Sequence, residues 1–85
     1  MQFLHIIWDM EDDPEGNVQH IAEHGLTIAH VETVLYHPYR EGISKTTGQP
    51  VVWGYTPVDE YIMVVYDRID PDTIRVITAF EVPEP

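Results

Sequence analysis

Residues 61–66 form an unbroken apolar run, Tyr61, Ile62, Met63, Val64, Val65 and Tyr66, bounded on both sides by turn chemistry and rich in strand-favouring side chains. A strand shows alternate residues to opposite faces, so Tyr61, Met63 and Val65 point one way and Ile62, Val64 and Tyr66 the other. Neither set is polar, which places this segment at the centre of a sheet. Thr56, Pro57, Val58 and Asp59 have the chemistry of a type I turn, and Asp70, Pro71 and Asp72 that of a second reversal. The segments outside these turns, 51–55 and 73–82, are β-rich as well. The three are expected to pair as an antiparallel meander.

The first half of the chain reads differently. Residues 3–8 have strand composition and stop at an acid cluster. Either Asp12 or Asp13 is suited to cap a helix with Pro14 at its first position and carboxylates beside the positive end of its dipole. That helix is expected to run to about His24, with Val18, Ile21 and Ala22 as its apolar stripe and Gly25 as a left-handed stop. Thr27 is placed to cap a second helix through Ile28, Val31, Val34 and Leu35, which ends before Pro38 because the residue preceding proline avoids helical geometry. Residues 40–49 are polar, with room for one short strand near 42–45 and a turn at 47–49. The fold class predicted is α+β: an N-terminal strand, two short helices, then a three- to four-stranded antiparallel meander. One domain is expected over residues 1–82, with 83–85 a frayed tail.

Composition limits what such a domain can do. At 85 residues only about 60% of the unfolded surface can be buried, but with 44% hydrophobic residues the chain has enough apolar surface to fold. Cysteine is absent, so packing alone must hold it. No basic leader precedes the first apolar stretch and no run is long enough to span a bilayer, so the expected address is the cytoplasm. Fifteen acids stand against four cations, Arg40, Lys45, Arg68 and Arg75, a formal charge of −11. Nucleic-acid affinity comes chiefly from Lys and Arg neutralising phosphates, so generic RNA or DNA binding is disfavoured.

Several constellations invite a sharper reading and lose it to a plainer one. His20 and His24 are spaced i, i+4 with Asn17 nearby, a spacing that can clamp zinc, but no third ligand is in sequence reach. Residues 9–16 lack the alternation and terminal Glu of a calcium loop. Trp8, Trp53, Tyr55 and Phe80 could stack bases, yet they lack flanking cations and read as core and sheet-face residues. Ser44 has no nucleophile elbow or phosphate loop around it. No metal and no cofactor is called for.

The order of elements carries residues that resemble the BrnT family, ribonuclease toxins with a RelE-like fold that pair with a DNA-binding antitoxin. Trp8 and Asp9 match an opening aromatic-Asp step. His24, Gly25 and Leu26 match a His-Gly-aliphatic step, and Ile28, Val31 and Leu35 the helix after it. Gly54, then Val64, Val65 and Tyr66, then the segment Ile74, Arg75, Val76, Ile77, Thr78, Ala79 and Phe80 follow in the family's order. The likeness covers nearly the whole chain. The departures fall on cations: the family's Lys before His-Gly is Glu23 here, and its Arg positions at two strand ends are Gln49 and Phe80, while Arg75 is kept. The stretch from Trp8 to Gly25 is also about one helical turn longer than is usual.

RNA cleavage on such a fold needs cations on the scissile phosphate, and losing one costs roughly two to four kcal/mol of barrier. The expectation is therefore a catalytically degenerate BrnT-like domain that binds a protein partner. Asp9, Glu11, Asp12 and Asp13, with a face of the sheet, would be the contact surface, and the partner a basic, antitoxin-like protein or one with an amphipathic helix. The alternative is an active ribonuclease toxin using Arg75 and His24, with Lys45 or Arg40 assisting and Tyr66 lining the same cleft. A third reading is an acidic nucleic-acid mimic.

Overall fold

The apolar run folds as the middle strand of a five-stranded sheet. In the computed structural model, which describes residues 2–85, the elements in chain order are β1 (His5–Ile7), α1 (Asn17–Glu23), α2 (Ile28–Tyr36), β2 (Arg40–Ile43), β3 (Pro50–Tyr55), β4 (Tyr61–Asp70) and β5 (Thr73–Glu81). The sheet order is β1-β5-β4-β3-β2. Strands β2 to β5 are the antiparallel meander expected from the turns, and β1 adds to its far side parallel to β5, with Ile6 opposite Ile74. The architecture is α+β, as the sequence predicts.

Both helices lie on one face. Ile21 of α1, Leu26, and Val31, Val34 and Leu35 of α2 form one core with Val52, Ile62, Val64, Tyr66, Ile74, Val76 and Ala79 of the sheet. Strand alternation then turns Val51, Trp53, Tyr55, Tyr61, Met63 and Val65 to the opposite, helix-free face. On β5 the alternation breaks once. Val65 pairs with Thr78 but Tyr66 with Val76, so Ile77 is an extra, bulged residue, and Ile74, Val76 and Ala79 all reach the helix-covered core despite their uneven spacing. Gly54 lets α2 approach β3: a Cβ there would stand 3.0 Å from Val34 Cγ1.

The loops follow the turn chemistry. Asp59 N–H donates to Thr56 O at 2.9 Å and Asp59 takes φ 64°, the left-handed residue that closes a three-residue hairpin. At the β4–β5 turn the Asp70 carboxylate accepts from Asp72 N–H at 2.8 Å, and that hydrogen bond holds the carboxyl below its usual range. The expected strand near 42–45 is displaced to β2, because the chain already turns at Ser44, whose carbonyl accepts from Gly48 N–H at 2.9 Å and whose hydroxyl accepts from Thr47 N–H at 3.3 Å. β4 continues to Asp70, four residues beyond the apolar run.

One expectation fails outright. α1 begins at Asn17, not Pro14, with Gly16 at the N-cap, no side-chain capping bond and no acid in its first turn. Asp13 is spent on a turn: its carboxylate accepts from Glu15 N–H at 2.9 Å and its carbonyl from Gly16 N–H at 3.0 Å. The helix is also rotated from the expected stripe, burying Asn17 and Ile21 and leaving Ala22 exposed.

The C-terminal stop is as expected. Gly25 has φ +77°, its N–H bonds Ala22 O at 2.9 Å, and Leu26 N–H bonds Ile21 O at 3.0 Å, the paired pattern of a Schellman motif with Leu26 and Ile21 both in the core. Gly25→Ala is expected to cost about 1 kcal/mol through the left-handed backbone alone, since a Cβ there meets nothing within 4 Å. Chemical denaturation measures it. Thr27 caps α2 by accepting from His30 N–H at 3.2 Å, and His30 Nδ1 returns a bond from Thr27 N–H.

Candidate functional site

The polar residues of interest gather where β1 ends, α1 begins and β5 passes. Asn17, 3% exposed, organises the junction. Its side-chain amide donates to Ile7 O at 3.0 Å and Val76 O at 2.9 Å, and its Oδ1 accepts from Asp9 N–H at 2.9 Å. In return Asp9 Oδ2 accepts from Asn17 N–H at 2.8 Å. That same carboxylate oxygen binds the Arg75 guanidinium at 2.6 Å, an ion pair whose side chains are 23% and 35% exposed. Gly16 is buried against this junction, and a Cβ on it would stand 2.8 Å from the Cβ of Asp9. Above, Trp8 Nε1 donates to Glu32 on α2 at 3.1 Å.

Asp9 and Asn17 thereby pinch the base of the intervening loop. Gln19 Nε2 adds a bond to Glu11 O at 2.6 Å, so Glu11, Asp12, Asp13 and Glu15 are carried on a tethered loop, all exposed, with Met10 74% exposed among them. Asp9, expected as a partner-binding acid, is instead turned inward onto Arg75 and Asn17.

The cleft expected to unite His24, Arg75 and Tyr66 is not formed. His24 packs against Phe80, ring centroids 5.9 Å apart, five residues along β5 from Arg75, or about 17 Å at strand rise. Tyr66 is buried in the helix-facing core, and its burial raises the hydroxyl pKa. Two surface clefts open elsewhere. One, of about 460 Å³, is lined by Phe3, Leu4, Leu35, Tyr36, Pro71 and Asp72, and the other by residues 9–12.

Two of the other three cations are also engaged. Arg68 donates to Pro71 O at 3.0 Å, and the Arg40 guanidinium lies 4.2 Å over the Trp53 ring. Of Trp8, Trp53, Tyr55 and Phe80, Trp8 packs against the helix-side core, Trp53 and Tyr55 lie on the helix-free face, and Phe80, opposite Met63 on that face, also meets His24 at the end of α1. His20 and His24 do stand together, centroids 5.5 Å apart, but among the described residues no group of three or more His, Asp or Glu side chains is placed to hold a metal ion.

Sequence reasoning saw Asn17 only as a neighbour of His20 and His24, and missed Glu32. The signal for Asn17 was available: a polar residue one turn before Ile21 on what had to be a buried stripe. Nothing in the sequence distinguished half-buried Glu32 from the exposed acids. Among the described residues no helix is long and apolar enough to cross a membrane. No family model, no curated protein and no solved structure matches the chain.

Proposed function

We propose that this chain is a BrnT-like domain that has given up RNA cleavage and acts by binding a basic, antitoxin-like protein. The observation that carries this reading is the Arg75–Asp9 contact. Arg75 is the cation kept from the family's basic positions, and its charge is neutralised by a carboxylate that is itself fixed by Asn17 N–H. A phosphate approaching Arg75 would compete with an anion already bonded at 2.6 Å and would meet a chain of net charge −11.

The tethered loop supplies the opposite chemistry. Glu11, Asp12, Asp13 and Glu15 project from a base held by hydrogen bonds, so less ordering entropy opposes their engagement by a cationic surface, and exposed Met10 adds an adaptable apolar contact. Capture from a lysate of the native cell, followed by titration of the purified partner, tests the reading. The captured protein is expected to be basic, its affinity to fall as salt rises, and the triple change Glu11→Gln, Asp12→Asn, Asp13→Asn to weaken binding by about tenfold or more. A partner that binds equally well to the triple variant contradicts it.

A further inference from the structure

The sheet is covered by helices on one face only, yet its other face is largely apolar, with Val51, Tyr61 and Val65 already buried within the chain and Trp53, Tyr55, Met63 and Phe80 half-buried. An antiparallel sheet with one face in water ordinarily alternates apolar inward with polar outward. Here the outward positions are Val51, Trp53 and Tyr55 on β3, Tyr61, Met63 and Val65 on β4, and Thr78 and Phe80 on β5, with charge only at the margins, in Arg40 opposite Trp53 and in the pair Asp67 and Arg75 beyond Val65. Tyr39, 62% exposed, extends the patch, its ring centroid 5.9 Å from Tyr55 and 6.0 Å from Tyr61. At the other side the indole of Trp53 lies across Gly42, where a Cβ would come within 3.1 Å of the ring, and Arg40 stacks on it.

The charge on this face differs from the charge of the molecule. Arg40 stands at one corner and Asp67, bonded to Gln49 Nε2 at 3.0 Å, at the diagonal one. Arg75 is neutralised by Asp9, and Glu84 sits at the rim on the Tyr55 hydroxyl. The acids that make the chain negative lie mostly in the loop before α1, on the helices and at the hairpin tips. A basic partner is drawn to those. A largely aromatic face with Arg40 and Asp67 at opposite corners suits a copy of itself. A two-fold axis in the contact plane, midway between the corners, sets Arg40 of each copy against Asp67 of the other.

We propose that the helix-free sheet face is a self-association surface on which two copies of this chain pack face to face. This goes beyond the partner-binding reading and does not depend on it. From strand spacing and rise the patch measures about 20 Å by about 17 Å, smaller than the roughly 800 Å² per partner of a standard interface. The dimer is therefore weak and concentration-dependent.

Sedimentation equilibrium over a wide concentration range, at low and high salt, tests it. The weight-average mass is expected to rise from 9.8 kDa toward twice that value. Association should tighten at high salt, because two chains of −11 repel each other, whereas binding of a basic partner loosens under the same change. Arg40→Glu is expected to weaken the dimer by about tenfold, and adding Asp67→Arg to restore it. Should loss of the Trp53 contact disturb the Arg40 variant, as judged by circular dichroism, Met63→Gln puts the same question at the centre of the face. A mass of 9.8 kDa at every concentration, or a dimer indifferent to the Arg40→Glu and Met63→Gln changes, overturns the proposal.

Discussion

Asn17→Ala is expected to lower the unfolding free energy by about 3 kcal/mol or more, a large part of the roughly 4 to 13 kcal/mol that a domain of this size possesses. The side chain is 3% exposed and makes three hydrogen bonds to main-chain groups on two separate segments, at Ile7 and Asp9 on one and Val76 on the other. Its removal leaves a donor and two acceptors without protein partners at the seam between β1, α1 and β5. Each buried unsatisfied group costs about 1 to 3 kcal/mol, and some relaxation toward water recovers part of that. Asn17→Asp is expected to be at least as damaging despite its equal size, since it sets a carboxylate oxygen against two carbonyl oxygens and beside Asp9. Urea unfolding compares the two. A loss below about 1 kcal/mol for Asn17→Ala would mean that the junction is held by packing instead.

Two neighbours on β4 provide the second large effect by contrast. Ile62→Ala is expected to cost about 3 to 4 kcal/mol, because Ile62 is fully buried between the central strand and the helices and its loss opens a cavity that the sheet cannot collapse. Met63→Ala, one residue on, is expected to cost under about 1 kcal/mol in the monomer, as its half-buried side chain lies on the helix-free face. For a domain of this size the first corresponds to a fall in Tm of roughly 15 °C or more. Thermal melts at low protein concentration make the comparison. Equal losses at the two positions would show that both faces are covered in the isolated chain.

Much of this fold was legible because its local signals are strong and unopposed. The double-sided apolar run of residues 61–66 identified the central strand, the two turn sequences fixed the meander, and Gly25, Thr27 and Pro38 marked the helix ends where the structure has them. The β5 bulge escaped notice because one added residue at Ile77 changes which side chains face inward without changing strand composition. The start of α1 was misplaced for a different reason. Asp13 and Pro14 suit a turn as well as a helix start, and the choice is made by Asn17, whose partners at Ile7, Asp9 and Val76 are tertiary.

The same tertiary pairing decides the site. Arg75 and His24 each looked available for chemistry, but charge pairing with Asp9 and packing on Phe80 are invisible to spacing along the chain. Conversely, the acids of the loop, which seemed explained by a helix dipole, lost that explanation when the helix began beyond them. Their exposure on a tethered loop leaves them open to a cationic surface.

Arg75 held by Asp9 serves as a structural cation if its guanidinium is not offered to a phosphate. Incubating the purified chain with RNA, without any added factor, asks this directly. The expected result is RNA left intact by both the parent chain and Arg75→Ala, the variant differing only in stability. Rapid cleavage by the parent that vanishes in a folded Arg75→Ala would contradict the account and establish the chain as a ribonuclease.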